Sequence, residues 1–277
     1  MNLKTSLILR KVSVYIILAF LLTLVIFPLS IVIALSFRPS FETYSEWHWI
    51  PEEFTIETWI KALTLYKMNY FIFNSIYAAT GTGLLSLIIS IPPSYSFARK
   101  RFKGKKLGFS AIIFALLFPY VLLIIPINVI LAQLNLTDTI PGLWFAFLTF
   151  TTPYAIWILT DFFVKLPRDI EEAAMLDGLS DVGAFIRVIL PLSKPALVAV
   201  FFLTFLYGWD DFMFSSILTT EKTRTAVVNL HAFTTATGFT YWGELMASVL
   251  MVSIPPAILY AILQKYIVRG MAVTIAE

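Results

Sequence analysis

Of the 277 residues, 59% are hydrophobic and only 13% charged, against roughly 25% charged in ordinary soluble domains, a deficit that excludes a fold surrounded by water. The absence of cysteine excludes disulfides, thiolate metal sites and a cysteine nucleophile, and His48 and His231 have no ligand spacing between them. The net charge of +3 sits in short intervals between apolar stretches and forms no basic, aromatic-interleaved patch, so it reports membrane orientation and no nucleic-acid partner.

The first apolar stretch, 12–36, is too long for the core of a signal peptide and has no small-residue cleavage site after it, so it reads as a retained membrane helix. The interval that follows, 37–70, is acidic and aromatic, with Glu42, Glu46, Trp47, Trp49, Glu52, Glu53, Glu57 and Trp59. It suits either an interfacial segment or a docking surface. Glu57 and Lys61 have the spacing that supports a short surface helix. Further spans of about 20 residues are expected near 71–97, 107–131, 141–164, 196–218 and 243–266. The expectation is an all-α polytopic membrane protein with six transmembrane helices.

Six spans put both termini on one side, and the lysines and arginines say which. With the N-terminus inside, the cytoplasmic face holds Lys4, Arg10 and Lys11, the run Arg99, Lys100, Arg101, Lys103, Lys105 and Lys106, then Lys165, Arg168, Arg187 and Lys194, then Lys265 and Arg269. Outside remain Arg38, Lys61, Lys67, Lys222 and Arg224. A cell-membrane protein with both termini cytoplasmic is expected. Pro92, Pro93, Pro119, Pro126, Pro153, Pro255 and Pro256 fall within the spans. Each removes a backbone donor and tends to kink its helix, which suits moving parts but also fits the general abundance of proline in membrane helices.

The cytoplasmic interval 165–195 is polar yet patterned like structure. Pro167 suits a first helical turn, and Asp169, Glu171 and Glu172 favour the positive end of a helix dipole. Gly178 offers a stop. Val182, Phe185, Ile186 and Ile189 then recur at helical spacing before Leu190 and Pro191. The expected helix–turn–helix is either a stiff lever whose acidic and apolar surface fits a partner's groove, or an ordinary amphipathic loop.

Within the spans, Asp210 and Asp211 stand out, because a charge at mid-depth costs about 2.5–3.5 kcal/mol and usually faces a bundle interior or cavity. Neighbours on a helix point about 100° apart, so the two are not expected to face one partner. Either a gate or a hydrogen bond near the helix end accounts for them. Asp161 and Glu244, near span ends, are expected to meet water.

The sequence Glu172-Ala173-Ala174-x-x-Asp177-Gly178, followed by Val188-x-Leu190-Pro191, resembles the EAA loop of ATP-binding-cassette (ABC) importer permeases, with Val188 where that family usually has isoleucine. Asn74-Ser75, Tyr95-Ser96-Phe97-Ala98-Arg99, Phe102-Lys103-Gly104-Lys105, Leu136-x-Asp138-Thr139, Pro141-Gly142-Leu143 and Trp209-Asp210-Asp211-Phe212 are similar to its carbohydrate branch, especially the smaller permease subunit of maltose- and trehalose-type importers. Pro92-Pro93 replaces small residues, and Asp210 stands where asparagine is common.

The resemblance implies that 169–178 is a coupling helix docked in a cleft of an ATPase subunit. The coupling residues it implies are Asp169, Glu171, Glu172, Ala173, Ala174, Asp177, Gly178, Leu190 and Pro191, with Glu172 the ion-pairing residue and Asp177 and Gly178 fixing the turn. It implies a second, homologous permease, two cytoplasmic ATPases and an external sugar-binding protein. No cofactor is expected on this chain: ATP and Mg belong to the ATPase, in keeping with the absence of a Gly-x-x-x-x-Gly-Lys-Ser/Thr phosphate loop. The sugar path would draw on Asn128, Gln133, Trp209, Asp210 and Asp211, with Trp144, Tyr154 or Trp157 available for stacking. The segment 264–270 resembles a tail that in some members reaches between the ATPases.

No HExxH, nucleophile elbow or intramembrane Gly-x-Gly-Asp pair supports an enzyme. A secondary transporter would show two related halves with matching broken helices, which the proline pairs hint at and the EAA-like loop opposes. A polyamine, anion or peptide cargo stays open, because the coupling loop reports the motor and not the solute.

Overall fold

The computed structural model describes residues 3–39, 51, 53–233 and 240–275. Glu42, Glu46, Trp47, His48, Trp49 and Glu52, and the side chains of the 264–270 tail from residue 268 onward, lie outside the described residues. The chain is all-helical: α1 (Leu3–Ser36), α2 (Glu57–Thr64), α3 (Met68–Arg99), α4 (Lys105–Leu117), a 3-10 turn at Tyr120–Leu123, α5 (Ile124–Gln133) and α6 (Ile140–Lys165). Then come α7 (Asp169–Leu176), α8 (Asp181–Ala184), a π-helical turn at Phe185–Ile189, α9 (Leu190–Leu192), α10 (Lys194–Asp210), α11 (Met213–Leu218), α12 (Ala226–Asn229) and α13 (Trp242–Ile275).

Four helical stretches, Lys11–Ser36, Met68–Arg99, Ile140–Lys165 and Trp242–Ile267, are long and apolar enough to cross a membrane unbroken. Two bent pairs bring the number to as many as six: Lys105–Leu117 with Tyr120–Gln133, bent by 94°, and Asp181–Leu192 with Lys194–Asp210, bent by 71°. The prolines do not break the helices uniformly. Both α3 and α13 run on through Pro92–Pro93 and Pro255–Pro256, whereas the chain leaves the helix at Phe118, just before Pro119, where the residue preceding a proline takes an extended backbone. A second break falls at Asp211, also extended, between α10 and α11.

Contacts divide the chain into two compact units, Met1–Met68 with Leu230–Ser253, and Asn69–Asn229 with Ile254–Glu277. In the first, the Thr58 hydroxyl donates to the Ser36 carbonyl, Phe37 and Trp59 stack at 5.6 Å, and Gly243 sits so close to Thr58 and the Arg38 carbonyl that a Cβ would lie within 2.9 Å of both. Glu244, expected to meet water, is instead 2% exposed. It lies in the first turn of α13, where the helix dipole favours an acid, with Lys61 Nζ at 4.0 Å. Asp161 lies at the surface and pairs with Lys165 at 3.3 Å.

In the second unit α6 packs against α4, α10 and α11, and α3 carries a stripe of small residues. Ser75, Ala78, Thr82, Ser86, Ser90 and Ser94 form a fully buried stripe at helical spacing, and such small residues let membrane helices approach closely. Gly208 of α10 would place a Cβ 3.3 Å from the Ala79 backbone, and the Trp144 indole of α6 lies over Gly81 while donating to the Tyr77 carbonyl at 3.1 Å. Two apolar cores result. One gathers Tyr95, Leu159, Phe163, Ile189 and Val200; the other gathers Ala78, Leu143, Phe147, Phe214 and Leu218.

The motifs near the opposite end of α6 are structural fasteners. Thr139 caps α6 by accepting the Gly142 N–H at 3.1 Å. Asp138, at φ 53°, takes the Thr220 N–H at 2.9 Å and the Thr220 and Thr223 hydroxyls, while Asn74 donates to the Lys222 and Arg224 carbonyls at 3.2 and 3.0 Å and Ser75 accepts the Ala226 N–H at 2.8 Å. Burial opposes the Asp138 charge, but the bonds from Thr220 and Thr223 and the nearby Lys222 outweigh it and hold the carboxyl below its usual value. A depressed folded-state pKa stabilises above the ordinary carboxylate range, and the gain is lost as pH falls through the folded value. Asp138→Asn is therefore expected to lower the unfolding midpoint at neutral pH, with the difference from the native chain vanishing on strong acidification. A melting series across pH in detergent checks this. In the same assay Gly208→Leu is expected to cost about 1–3 kcal/mol by overpacking the contact with α3.

Candidate coupling surface and transport cavity

The 165–195 segment folds as a helix–turn–helix. Three acids in the first turn of α7, Asp169, Glu171 and Glu172, meet the positive helix end. The helix stops at Gly178, whose φ of 90° is left-handed and whose missing Cβ would meet nothing within 4 Å, so the glycine is required by conformation and not by space. Ser180 then starts α8 by accepting the Gly183 N–H at 3.1 Å.

Two adjacent glutamates, alike in the sequence, have opposite surroundings. Glu171 is 7% exposed, and its Oε2 lies 3.2 Å from Arg99 Nε. The Tyr95 hydroxyl donates to its Oε1, and Arg99 also donates to the Leu166 carbonyl at 2.7 Å. Lys100 pairs with Asp181, and the Tyr95 ring packs 4.2 Å from that of Phe185. One side of the helix–turn–helix is thus bolted to the last turn of α3.

The other side is open. Asp169, Glu172, Ala173, Asp177 and Gly178 are exposed, and beside them stand the apolar side chains of Leu176, 88% exposed, Val182 and Ile186. Ala174 is buried, Leu190 half-buried and Pro191 exposed. Tyr95 entered the sequence reading only as part of a resemblance, and Arg99 as part of that and of the cytoplasmic positive run; the signal for their role was an arginine and a tyrosine one helical turn apart at the end of a span.

A cavity of about 670 Å³ opens in the second unit, beside the middle of α6. Its walls include Tyr120, Phe150, Tyr154, Tyr207, Asp210 and Asp211. Phe150 and Tyr207 stack at 6.3 Å, and Tyr120 meets Phe150 edge-on at 5.8 Å. The breaks at Phe118 and Asp211 contribute, Phe118 and Tyr120 at one and Asp210 to Met213 at the other, which agrees with irregular membrane backbone being tolerated where it lines a cavity.

Asp210 and Asp211 both line this cavity, although neighbours on a continuous helix are expected to part; α10 ends at Asp210, and Asp211 has an extended backbone. Asp211 accepts from the Ser215 N–H at 2.9 Å and the Ser215 hydroxyl at 3.1 Å, securing the start of α11. Trp209 is buried against Phe205 at 5.7 Å. Asn128 is half-buried and Gln133 exposed on α5, and none of these three is among the cavity's lining residues. Tyr154 is; Trp144 packs on α3, and Trp157 is exposed. Tyr120, Phe150 and Tyr207 were missed; Tyr120 and Tyr207 lie close to the breaks at Phe118 and Asp211, and Phe150 lies in the middle of α6. Among the described residues no group of three or more His, Cys, Asp or Glu is placed to hold a metal ion.

Comparison with known proteins gives the family of the chain. Residues 90–273 match the family described as binding-protein-dependent transport system inner membrane component. The trehalose/maltose transport system permease protein MalG of Thermococcus litoralis is 33% identical over 220 residues, 78% of this chain and 79% of that protein. The trehalose transport system permease protein SugB of Mycobacterium tuberculosis is 31% identical over 246 residues, 88% of this chain and 89% of that one. The fold is shared with the crystal structure of a bacterial ABC transporter involved in import of the acidic polysaccharide alginate, at a TM-score of 0.78 and 20% identity, covering 96% of this chain and 99% of that chain. The family match spans the bolted helix–turn–helix, the broken helices and the cavity together, and the chain belongs to the inner-membrane permease components of binding-protein-dependent transport systems.

Proposed function

We propose that the chain is one half of the membrane path of an ATP-driven sugar importer, with both termini cytoplasmic and the 165–195 segment as its coupling loop. The observation that carries this reading is the two-faced helix–turn–helix, bolted to α3 through Glu171 and open through Glu172, Leu176 and Val182. Its exposed acidic and apolar face suits the cleft of a cytoplasmic ATPase, with Glu172 the group that pairs across the interface. ATP and Mg act on that separate subunit, a second permease completes the path, and an external binding protein delivers the cargo. The sugar assignment draws on the trehalose and maltose relatives and on a cavity walled by aromatic rings, which stack on the apolar faces of sugars.

In this mechanism ATPase closure pushes α7. The buried Glu171–Arg99 pair passes the push to α3, and the bend at Ser193 passes it to α10. Because the breaks at Phe118 and Asp211 line the cavity, relative motion of α6 and α10 changes its walls without unfolding a span.

The whole transporter in vesicles, supplied with ATP, its binding protein and labelled maltose, trehalose or glucose, tests the reading. Glu172→Ala, at an exposed side chain, is expected to abolish uptake with no change in melting temperature; unimpaired uptake would remove Glu172 from the coupling contact. Absence of uptake for all three sugars by an assembly that hydrolyses ATP would turn the assignment toward a polyamine, anion or peptide cargo. Glu171→Ala leaves Arg99 buried without its partner, at a cost of about 3–5 kcal/mol. The paired exchange of Glu171→Arg with Arg99→Glu is expected to recover part of both stability and uptake. Gly178→Ala is expected to destabilise the loop by about 1–2 kcal/mol through its left-handed backbone, seen as faster amide exchange at 176–180.

A further inference from the structure

The fold leaves the charge of the cargo open, since the same architecture serves a transporter of an acidic polysaccharide. The cavity walls narrow it. Asp210 and Asp211 contribute two carboxylates, and the lining contains no lysine, arginine or histidine. Asp211 spends one oxygen on Ser215, whereas Asp210, exposed at the end of α10, makes no hydrogen bond or ion pair among the described residues. Around them stand the rings of Tyr120, Phe150, Tyr154 and Tyr207.

An ionised carboxylate only accepts hydrogen bonds. A sugar hydroxyl or an ammonium group supplies the donor it needs, with the added strength of a charged acceptor, and an ammonium gains further from the faces of the aromatic rings. A carboxylate, sulfonate or phosphate on the cargo supplies no donor when ionised and brings a like charge against Asp210 in a site of low polarity, with no cation on the wall to offset it. At about 670 Å³, the cavity falls within the usual range for small-molecule sites, roughly 300–1,000 Å³.

Resting on the sugar-path reading above, we infer that this cavity selects cargo by charge, accepting neutral and amino sugars and rejecting acidic ones, with Asp210 as the selecting group. Asp211 is the positioning partner that holds the broken helix open, so that Asp210 faces the cavity instead of lipid.

The test is equilibrium binding to the assembled transporter in lipid nanodiscs, without the binding protein, so that only the membrane path discriminates. The probes share one scaffold: cellobiose, its diamino analogue and cellobiouronic acid. The native assembly is expected to bind the uronic acid at least about tenfold more weakly than cellobiose, and the diamino sugar more tightly. Asp210→Asn keeps the side chain's shape and is expected to bring the three affinities within about threefold of one another. Equal binding of cellobiose and the uronic acid by the native assembly would overturn charge selection while leaving the sugar path standing. Discrimination that survives Asp210→Asn would take the role away from Asp210. If none of the three sugars binds, the sugar-path reading falls, and charge selection among sugars falls with it.

Discussion

A buried ion pair at the end of a membrane helix is costly to desolvate and gains its return only when both charges are held in place with their remaining hydrogen-bonding groups satisfied. Around Glu171 and Arg99 much of that demand is met: Tyr95 donates to the second carboxylate oxygen, and the guanidinium donates to the Leu166 carbonyl. The consequence is positional. The 165–195 segment cannot slide or rotate on the end of α3 without exposing an unpaired charge, so its direction in space is set by α3 and not only by the chain connections at its own ends. The face opposite Glu171, with Glu172 and the exposed apolar side chains, is open because of that constraint.

From this bolt upward the second unit is a pair of packed cores separated by a gap. The core around Tyr95, Leu159 and Phe163 supports the bolt; the core around Phe147, Phe214 and Leu218 is closed by the Asp138 and Asn74 fasteners. Along α6 the gap between them coincides with the cavity, at Phe150 to Tyr154. The small-residue stripe of α3 is the rail that both cores share. Its serines and threonines are buried without large side chains to interlock, an arrangement in which close backbone approach, more than bulk, holds helices together.

Much of this was legible in the sequence, and what was not has physical reasons. Apolar length marks where helices exist, because a bilayer demands about 20 such residues. The acidic first turn and Gly178 mark α7 because caps and the dipole are local effects. Glu171 and Glu172 could not be told apart, since which of two neighbours turns inward depends on where α3 ends in space. Asp210 and Asp211 were assigned different directions on the assumption of an unbroken helix, and the break at Asp211 reverses that conclusion. Glu244 was expected in water from its place near a span end, but it is buried, with Lys61, far away in the chain, 4.0 Å from its carboxylate. The cavity's aromatics were invisible for the same reason: Tyr120, Phe150 and Tyr207 come from three different elements.

The π-helical turn at Phe185–Ile189 holds one residue more than the α-helical turn it replaces. The extra residue is absorbed inside that turn, so α8 before it and α9 after it keep the facing they would have on a continuous α-helix. The length of this connection is in that way uncoupled from its register.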